Sequence, residues 1–211
     1  MKFSTVLTGA LASLAAAQTP APYTDPKSGI TFNTLQQSSG FFFGLALPAN
    51  DTSNTDFIAT IGGKGTGWSG VSLGGGMTNK LLIVAWPNAQ AAVSSFRKVA
   101  NYSPPPVAAG TFAQLPIANG TYVNATHWTY TFLCSKCIQS DGTTFKASDT
   151  AAGIGFAWNA NAPAQKTDPA AGVRQHTAQG IAAFDLSKAK SDKFATWKAY
   201  AAPKVASAFS R

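Results

Sequence analysis

Glutamate is missing from this sequence: all eight acidic side chains among its 211 residues are aspartates. That excludes the HExxH metalloprotease site, a glutamate general acid and the glutamate set of ferritin-like di-iron proteins. Charge of either sign is scarce at 11%, against 45% hydrophobic residues. With mean hydropathy near zero, a polytopic membrane protein is excluded, and the apolar content excludes chain-wide disorder. Histidine, cysteine and methionine occur only twice each. No G-x-S-x-G elbow accompanies either histidine, so a serine hydrolase has no support. Gly62-Gly63-Lys64-Gly65 and Gly74-Gly75-Gly76 are glycine-rich, but neither continues into the Lys-Ser/Thr of a phosphate-binding loop. Beyond the N-terminus no apolar run approaches the roughly 18 residues of a membrane span.

What is present points outward from the cell. Met1-Lys2, an apolar stretch from Val6 to Ala17 and the small residues Ala15-Ala16-Ala17 form a secretory signal. Cleavage is expected after Ala17, leaving residues 18–211 as one soluble, extracellular domain. Four sequons, at Asn50, Asn101, Asn119 and Asn124, agree with a secreted glycoprotein. Cys134 and Cys137 read as a local disulfide in that compartment. A c-type haem attachment needs histidine after the second cysteine, and Ile138 stands there. The formal charge is +8, and most of the surplus lies between Leu186 and Arg211. Its basic residues are not interleaved with stacking aromatics in a recognisable module, so this segment reads as a solvated tail rather than a nucleic-acid surface.

Short apolar runs separated by Gly, Pro and Asn predict a β-sandwich. The candidate strands are 30–35, 41–47, 57–61, 68–73, 81–86, 127–133, 154–158 and 181–186. Ala89–Val99 is expected to be helical, and Ser191–Ala201 to be a short amphipathic helix carrying Phe194, Trp197 and Tyr200. Alternation along 127–134 puts Trp128, Tyr130, Phe132 and Cys134 in the core and His127 on a polar, exposed face. His176 follows a long loop, 159–172, where an ordinary hydrogen-bonded histidine and a ligand are both open readings. Met77 follows three glycines between two predicted strands. It is either a core filler or, with a histidine, half of a haem axial pair.

The stretch Gly67-Trp68-Ser69-Gly70-Val71-Ser72-Leu73-Gly74-Gly75-Gly76-Met77-Thr78-Asn79-Lys80-Leu81, together with Gly155-Phe156-Ala157-Trp158 and the segment from His176 to Leu186, resembles the cytochrome domain of fungal cellobiose dehydrogenase. That is a DOMON-like, iron-reductase auxiliary-activity family. The resemblance implies an immunoglobulin-like β-sandwich and one non-covalent haem b with Met77 and His176 on the iron. It also implies a disulfide between Cys134 and Cys137. Trp68, Trp86 and Trp158 are candidates for the pocket lining, with core positions equally open to them. Tyr102 and Arg174 are candidates for the haem propionates. An extracellular dehydrogenase or small reductant would be the electron donor. Ferric complexes, quinones or a copper-dependent polysaccharide monooxygenase would accept electrons from a monomeric carrier with ferric-reductase-type activity. No linker or dinucleotide fingerprint follows, so a stand-alone or truncated cytochrome is expected. A haem-free carbohydrate or cell-wall binding module, with exposed Trp or Tyr on a sheet face, is the alternative.

Overall fold

The computed structural model describes residues 19–201. The expected signal, 1–17, and the end of the basic tail lie outside the described residues. The expected all-β sandwich with a short C-terminal helix is found. Sheet 1 runs in the order β1 (Ala21–Thr24), β2 (Thr31–Gln36), β3 (Phe42–Pro48), β4 (Phe57–Lys64), β10 (His127–Ser135) and β8 (Ala113–Pro116). β9 (Tyr122–Val123) pairs with β10, and β13 (Lys190–Ser191) pairs in parallel with β3. Sheet 2 runs β12 (Ala178–Asp185), β11 (Ala151–Asn159), β5 (Trp68–Ser72), β6 (Leu82–Asn88) and β7 (Ala91–Arg97). The helix α1 spans Phe194–Lys198 and continues as a 3-10 turn, Ala199–Ala201.

Strand alternation builds the layers. Phe43, Leu45, Phe57, Ile61, Trp128 and Phe132 from sheet 1 meet Val71, Ile83, Ile154 and Phe184 from sheet 2 in one core. Each such side chain contributes roughly 1.5–3 kcal/mol by leaving water. The opposite faces of both sheets are covered as well. On sheet 1, Phe32, Ala46, Ile58 and Leu133 form a second core with Ile117, Phe194, Trp197 and Ala201.

Three expectations are corrected. Residues 89–99 are not helical: all seven residues of β7 pair antiparallel with β6 across a two-residue turn, Ala89-Gln90. Ala89 takes a positive φ of 52° at that turn, which no continuous helix allows. The pairing overrides the helix preference of its alanines. The C-terminal helix starts three residues later than expected, because Lys190 and Ser191 extend along β3 first. The polar face of β10 is not a solvent face. His127 is exposed as expected, but Thr129, Thr131 and Leu133 are buried. Thr131 donates to Gly120 O at 2.7 Å and its hydroxyl oxygen lies 3.0 Å from the Thr60 hydroxyl, which can donate to it, so the buried group is satisfied.

Candidate functional site

The outer face of sheet 2 carries a cavity of about 710 Å³, inside the range of about 300–1,000 Å³ usual for small-molecule sites. Register explains its floor. Ser72 pairs with both Leu82 and Gly155, and Gly70 with Val84 and Ala157, so these residues share one face with Trp68. Ser72, Gly70, Gly155 and Ala157 are small, and Trp68, Leu82 and Val84 make the floor apolar. Val173 and Ile181 add apolar wall, Phe156 lies at one edge, and Ile181 is 65% exposed.

Met77 and His176 both line this cavity, and both are half-buried. Met77 lies on the loop between β5 and β6. That loop is fastened by Leu73 N–H to Leu81 O at 3.0 Å, by Ser72 Oγ to Gly76 O at 2.5 Å and by Asn79 N–H to Val99 O at 2.7 Å. Gly75 supports the turn with a φ of 86°. Its carbonyl lies 2.0 Å from where a Cβ on Gly155 would stand, so only glycine fits at 155. His176 is held from both sides. The Asn159 side-chain amide donates to Gln175 O at 2.6 Å, and Thr177 N–H donates to Trp158 O at 2.9 Å.

Tyr102, 84% exposed, and Arg174, also exposed, stand among the lining residues with Ser103, Pro104 and Pro105. Trp68 lines the cavity and is buried, its indole N–H lacking a protein acceptor. Trp86 and Trp158 do not line it. Trp86 shares the outer face but is fully buried beneath the 159–172 loop, donating to Lys166 O at 2.8 Å. Trp158 has the opposite parity, and its indole nitrogen approaches Gly63 of the facing sheet. Phe156 shares that parity and stacks on Phe41 at 5.3 Å.

Two polar residues that hold this site have no motif to announce them. Asn159 is 3% exposed and binds Gln175, as above. Arg97 is 2% exposed and forms no salt bridge with a carboxylate among the described residues. Its Nη1 donates to Pro105 O at 2.9 Å. Its Nη2 donates to Pro169 O at 2.6 Å and Ala171 O at 2.9 Å, and its Nε to Ser95 Oγ at 2.7 Å. Ser95 Oγ also reaches Pro169 O at 2.8 Å. Burial pushes the Arg97 pKa down, and the field of Asp168 partly offsets that. A strand reading of 91–97 would have put Arg97 on one face with Val93 and Ser95, opposite Leu82.

Elsewhere, Cys134 and Cys137 form the expected disulfide, with Cα atoms 5.5 Å apart. No cysteine among the described residues is free. Asn50, Asn101, Asn119 and Asn124 are all exposed. His127 lines a separate depression of about 300 Å³ with Tyr23 and Tyr122, on the outer face of sheet 1. Among the described residues no group of three or more His, Cys, Asp or Glu side chains gathers. None of their helices is long and apolar enough to cross a membrane.

Comparison with known proteins bears on the same architecture. The chain is 28% identical over 189 residues to a pyrroloquinoline quinone-dependent pyranose dehydrogenase of Coprinopsis cinerea. That match takes in 86% of this chain but spans only 26% of the relative's length. The cytochrome b domain of pyranose dehydrogenase from Coprinopsis cinerea superposes with a TM-score of 0.76 at 24% identity, covering 86% of this chain and 95% of that domain; this likeness is one of fold. The cytochrome domain of Myriococcum thermophilum cellobiose dehydrogenase superposes with a TM-score of 0.77 at 32% identity, covering 88% of this chain and 98% of that domain. Residues 23–196, which include both walls of the cavity and every strand except the first two residues of β1, match the cytochrome domain of cellobiose dehydrogenase, and the chain belongs to that family.

Proposed function

We propose that this chain is a secreted one-electron carrier that binds one haem b, non-covalently, between Met77 and His176. The observation that carries this reading is that one thioether and one imidazole, far apart in sequence, line the same mostly apolar cavity. The donor set suits the group. Thioether and imidazole are soft and borderline ligands for iron, and neither carboxylate nor thiolate joins them to favour a hard cation or a zinc site. With both cysteines in a disulfide, no thiol among the described residues is available for covalent attachment. Family membership supports the same assignment.

When bound, haem b supplies a ferric/ferrous couple. The chain's own residues do the rest. Met77 and His176 would hold the group through its iron, and the chemistry it would supply there is one-electron exchange. The thioether favours the ferrous state and raises the potential relative to two histidines. The hydrogen bonds fastening Leu73, Gly76, Asn79, Gln175 and Thr177 keep both ligands in place when the oxidation state changes. Gly70, Gly155 and Ala157 let a planar ring approach the sheet, while Leu82, Val84 and Val173 exclude water from it. Tyr102 and Arg174, at the exposed rim, hold the propionates.

Electrons arrive from an extracellular dehydrogenase or a small reductant and leave to ferric complexes, quinones or a copper-dependent polysaccharide monooxygenase. The net charge of +8 favours acidic partners and a salt-sensitive encounter rate. The binding-module alternative calls for exposed Trp or Tyr on a sheet face, and the exposed Tyr102 and Tyr200 lie on no strand. Of the five tryptophans, Trp68, Trp86, Trp128 and Trp197 are buried and Trp158 is half-buried, so none forms an exposed platform.

The test is the visible spectrum of the purified protein with haemin, before and after dithionite. Sharp α and β bands on reduction are expected from wild type and from His127→Ala. Met77→Ala and His176→Ala should each lose the low-spin spectrum. A wild-type chain that stays colourless with haemin overturns the proposal.

A further inference from the structure

We propose that Arg97 is the positioning residue of the cavity. It fixes the spacing of the two walls and, through its fixed charge, raises the potential of whatever redox group the cavity holds, without touching that group. This deepens the haem reading and rests on it.

The cavity's two side walls belong to no sheet. One is the segment Tyr102–Pro105, between β7 and β8. The other is Val173–His176, the end of the loop between β11 and β12. Both must stay apart by the thickness of a ligand, and apolar packing would instead draw them together. Arg97, at the end of β7, faces the same side of sheet 2 as the cavity floor, opposite Leu82. Its guanidinium binds Pro105 O in the first wall. It also binds Pro169 O and Ala171 O in the approach to the second. One planar fork therefore joins both walls to one strand. Nε fixes the fork's own orientation on Ser95 Oγ, and Ser95 returns to Pro169. The bridge of Arg97 with Val107 and the bond from Lys98 N–H to Pro106 O at 3.2 Å anchor the far side of the first wall.

Lysine could not do this. Its ammonium is a point charge without the fixed fork that spans separate carbonyls. The acceptors around Arg97 are all neutral, and the closest carboxylate on the same loop, Asp168, is exposed. A buried guanidinium stays protonated. Its charge is thus weakly compensated in a region of low dielectric, where it acts at longer range than a surface charge. Adding an electron near a fixed cation is favoured. The geometry also makes the imidazole of His176 depend on Arg97, because Ala171 lies five residues upstream on the same strapped segment.

The experiment compares wild type, Arg97→Met and Arg97→Lys in three readouts. These are haemin affinity by titration, midpoint potential of the loaded protein, and, in the haem-free protein, hydrogen exchange of the hydrogen-bonded amides beside the walls, Lys98 and Ala108 for the first and Ala171 and Thr177 for the second. Arg97→Met should bind haemin about tenfold more weakly or worse, as loss of an outer-shell partner does. Its potential should fall, and exchange should rise in both walls together. Arg97→Lys keeps the charge and loses the fork, so it should retain most of the potential while still showing faster exchange and weaker binding. Should Arg97→Met fail to fold, Arg97→Lys and Ser95→Ala still report on the walls. A folded variant whose walls exchange at the wild-type rate overturns the strut, and an unchanged potential in Arg97→Met overturns the electrostatic role. If wild type takes up no haemin, the haem reading fails, while the exchange comparison still decides whether Arg97 holds the walls.

Discussion

Beneath α1 on the outer face of sheet 1, Phe194 and Trp197 press onto Phe32, Ala46, Ile58 and Leu133, while the His127 end of that face keeps the smaller depression. On the outer face of sheet 2, loops cover Trp68, Val84 and Trp86 at one end and leave a cavity at the other. Both faces are too apolar to leave bare, so both are covered. The difference lies in what attaches the cover. A helix with two large aromatic side chains maximises contact and closes the gap. A loop tied by a guanidinium to carbonyl oxygens is held at a fixed distance and cannot collapse further. One face is built for stability and the other for a guest.

The largest expected effect falls beneath α1. Trp197→Ala should lose about 3–5 kcal/mol of stability, by the transfer and cavity terms of a buried aromatic. Chemical denaturation measures it. If the two faces are as separate as the packing suggests, the surviving folded fraction should bind haemin with unchanged affinity. A matching loss of affinity would show that the covers are coupled through the central core.

Gly155→Ala should strike the open face and cost less, roughly 1–3 kcal/mol, the usual range for overpacking. The added methyl would stand 2.0 Å from Gly75 O, so the loop carrying Met77 must shift. Because the loop has room to move outward over the cavity, much of the strain should appear as weaker haemin binding and an altered low-spin spectrum. Gly76→Ala is the control, since nothing lies within 4 Å of that position.

These contrasts also mark what could be seen in advance. The eight expected strands are all present, because their Phe, Ile, Val and Thr runs are cut by turn residues. β7 escaped because Ala91, Ala92, Ser94 and Ser95 carry little strand preference of their own, and the partner β6 decides the matter. The buried outer face of β10 was hidden for a related reason. Thr129 and Thr131 look solvent-facing until their acceptors, on Gly120, and the distant cover of α1 are known. That Met77 and His176 meet at one cavity was legible because the chain offers so few such side chains and the resemblance pairs them. Arg97 and Asn159 were not, since a hydrogen bond to a main-chain carbonyl far along the chain leaves no residue-type signature.

The smallest predicted effect separates the two faces by pH. The cover on sheet 1 has its own polar tie: Asp56 accepts from Lys198 Nζ of α1 at 2.7 Å and from Lys136 N–H, in the disulfide turn, at 2.7 Å. Burial opposes the charge on Asp56, yet these two donors together outweigh it and hold the carboxyl below its ordinary value. A depressed folded pKa means that the native state binds the proton less readily than the unfolded chain. The stabilisation is therefore complete above the unfolded value of about 3.9, and is lost as pH falls through the lower folded one. It should amount to roughly 1–2 kcal/mol, given one charged hydrogen bond and one half-exposed ion pair. Asp56→Asn should lose that amount at neutral pH, and its difference from wild type should shrink towards zero below about pH 4. Arg97 has no counterpart to this titration, because its acceptors are carbonyls and a hydroxyl that keep their state throughout. Acid should accordingly loosen α1 before it loosens the cavity walls. Hydrogen exchange at pH 3.5, read separately for the bonded amide of Trp197 and for those of Ala171 and Thr177, would show the order, and earlier opening at Ala171 and Thr177 would overturn the assignment of the two ties.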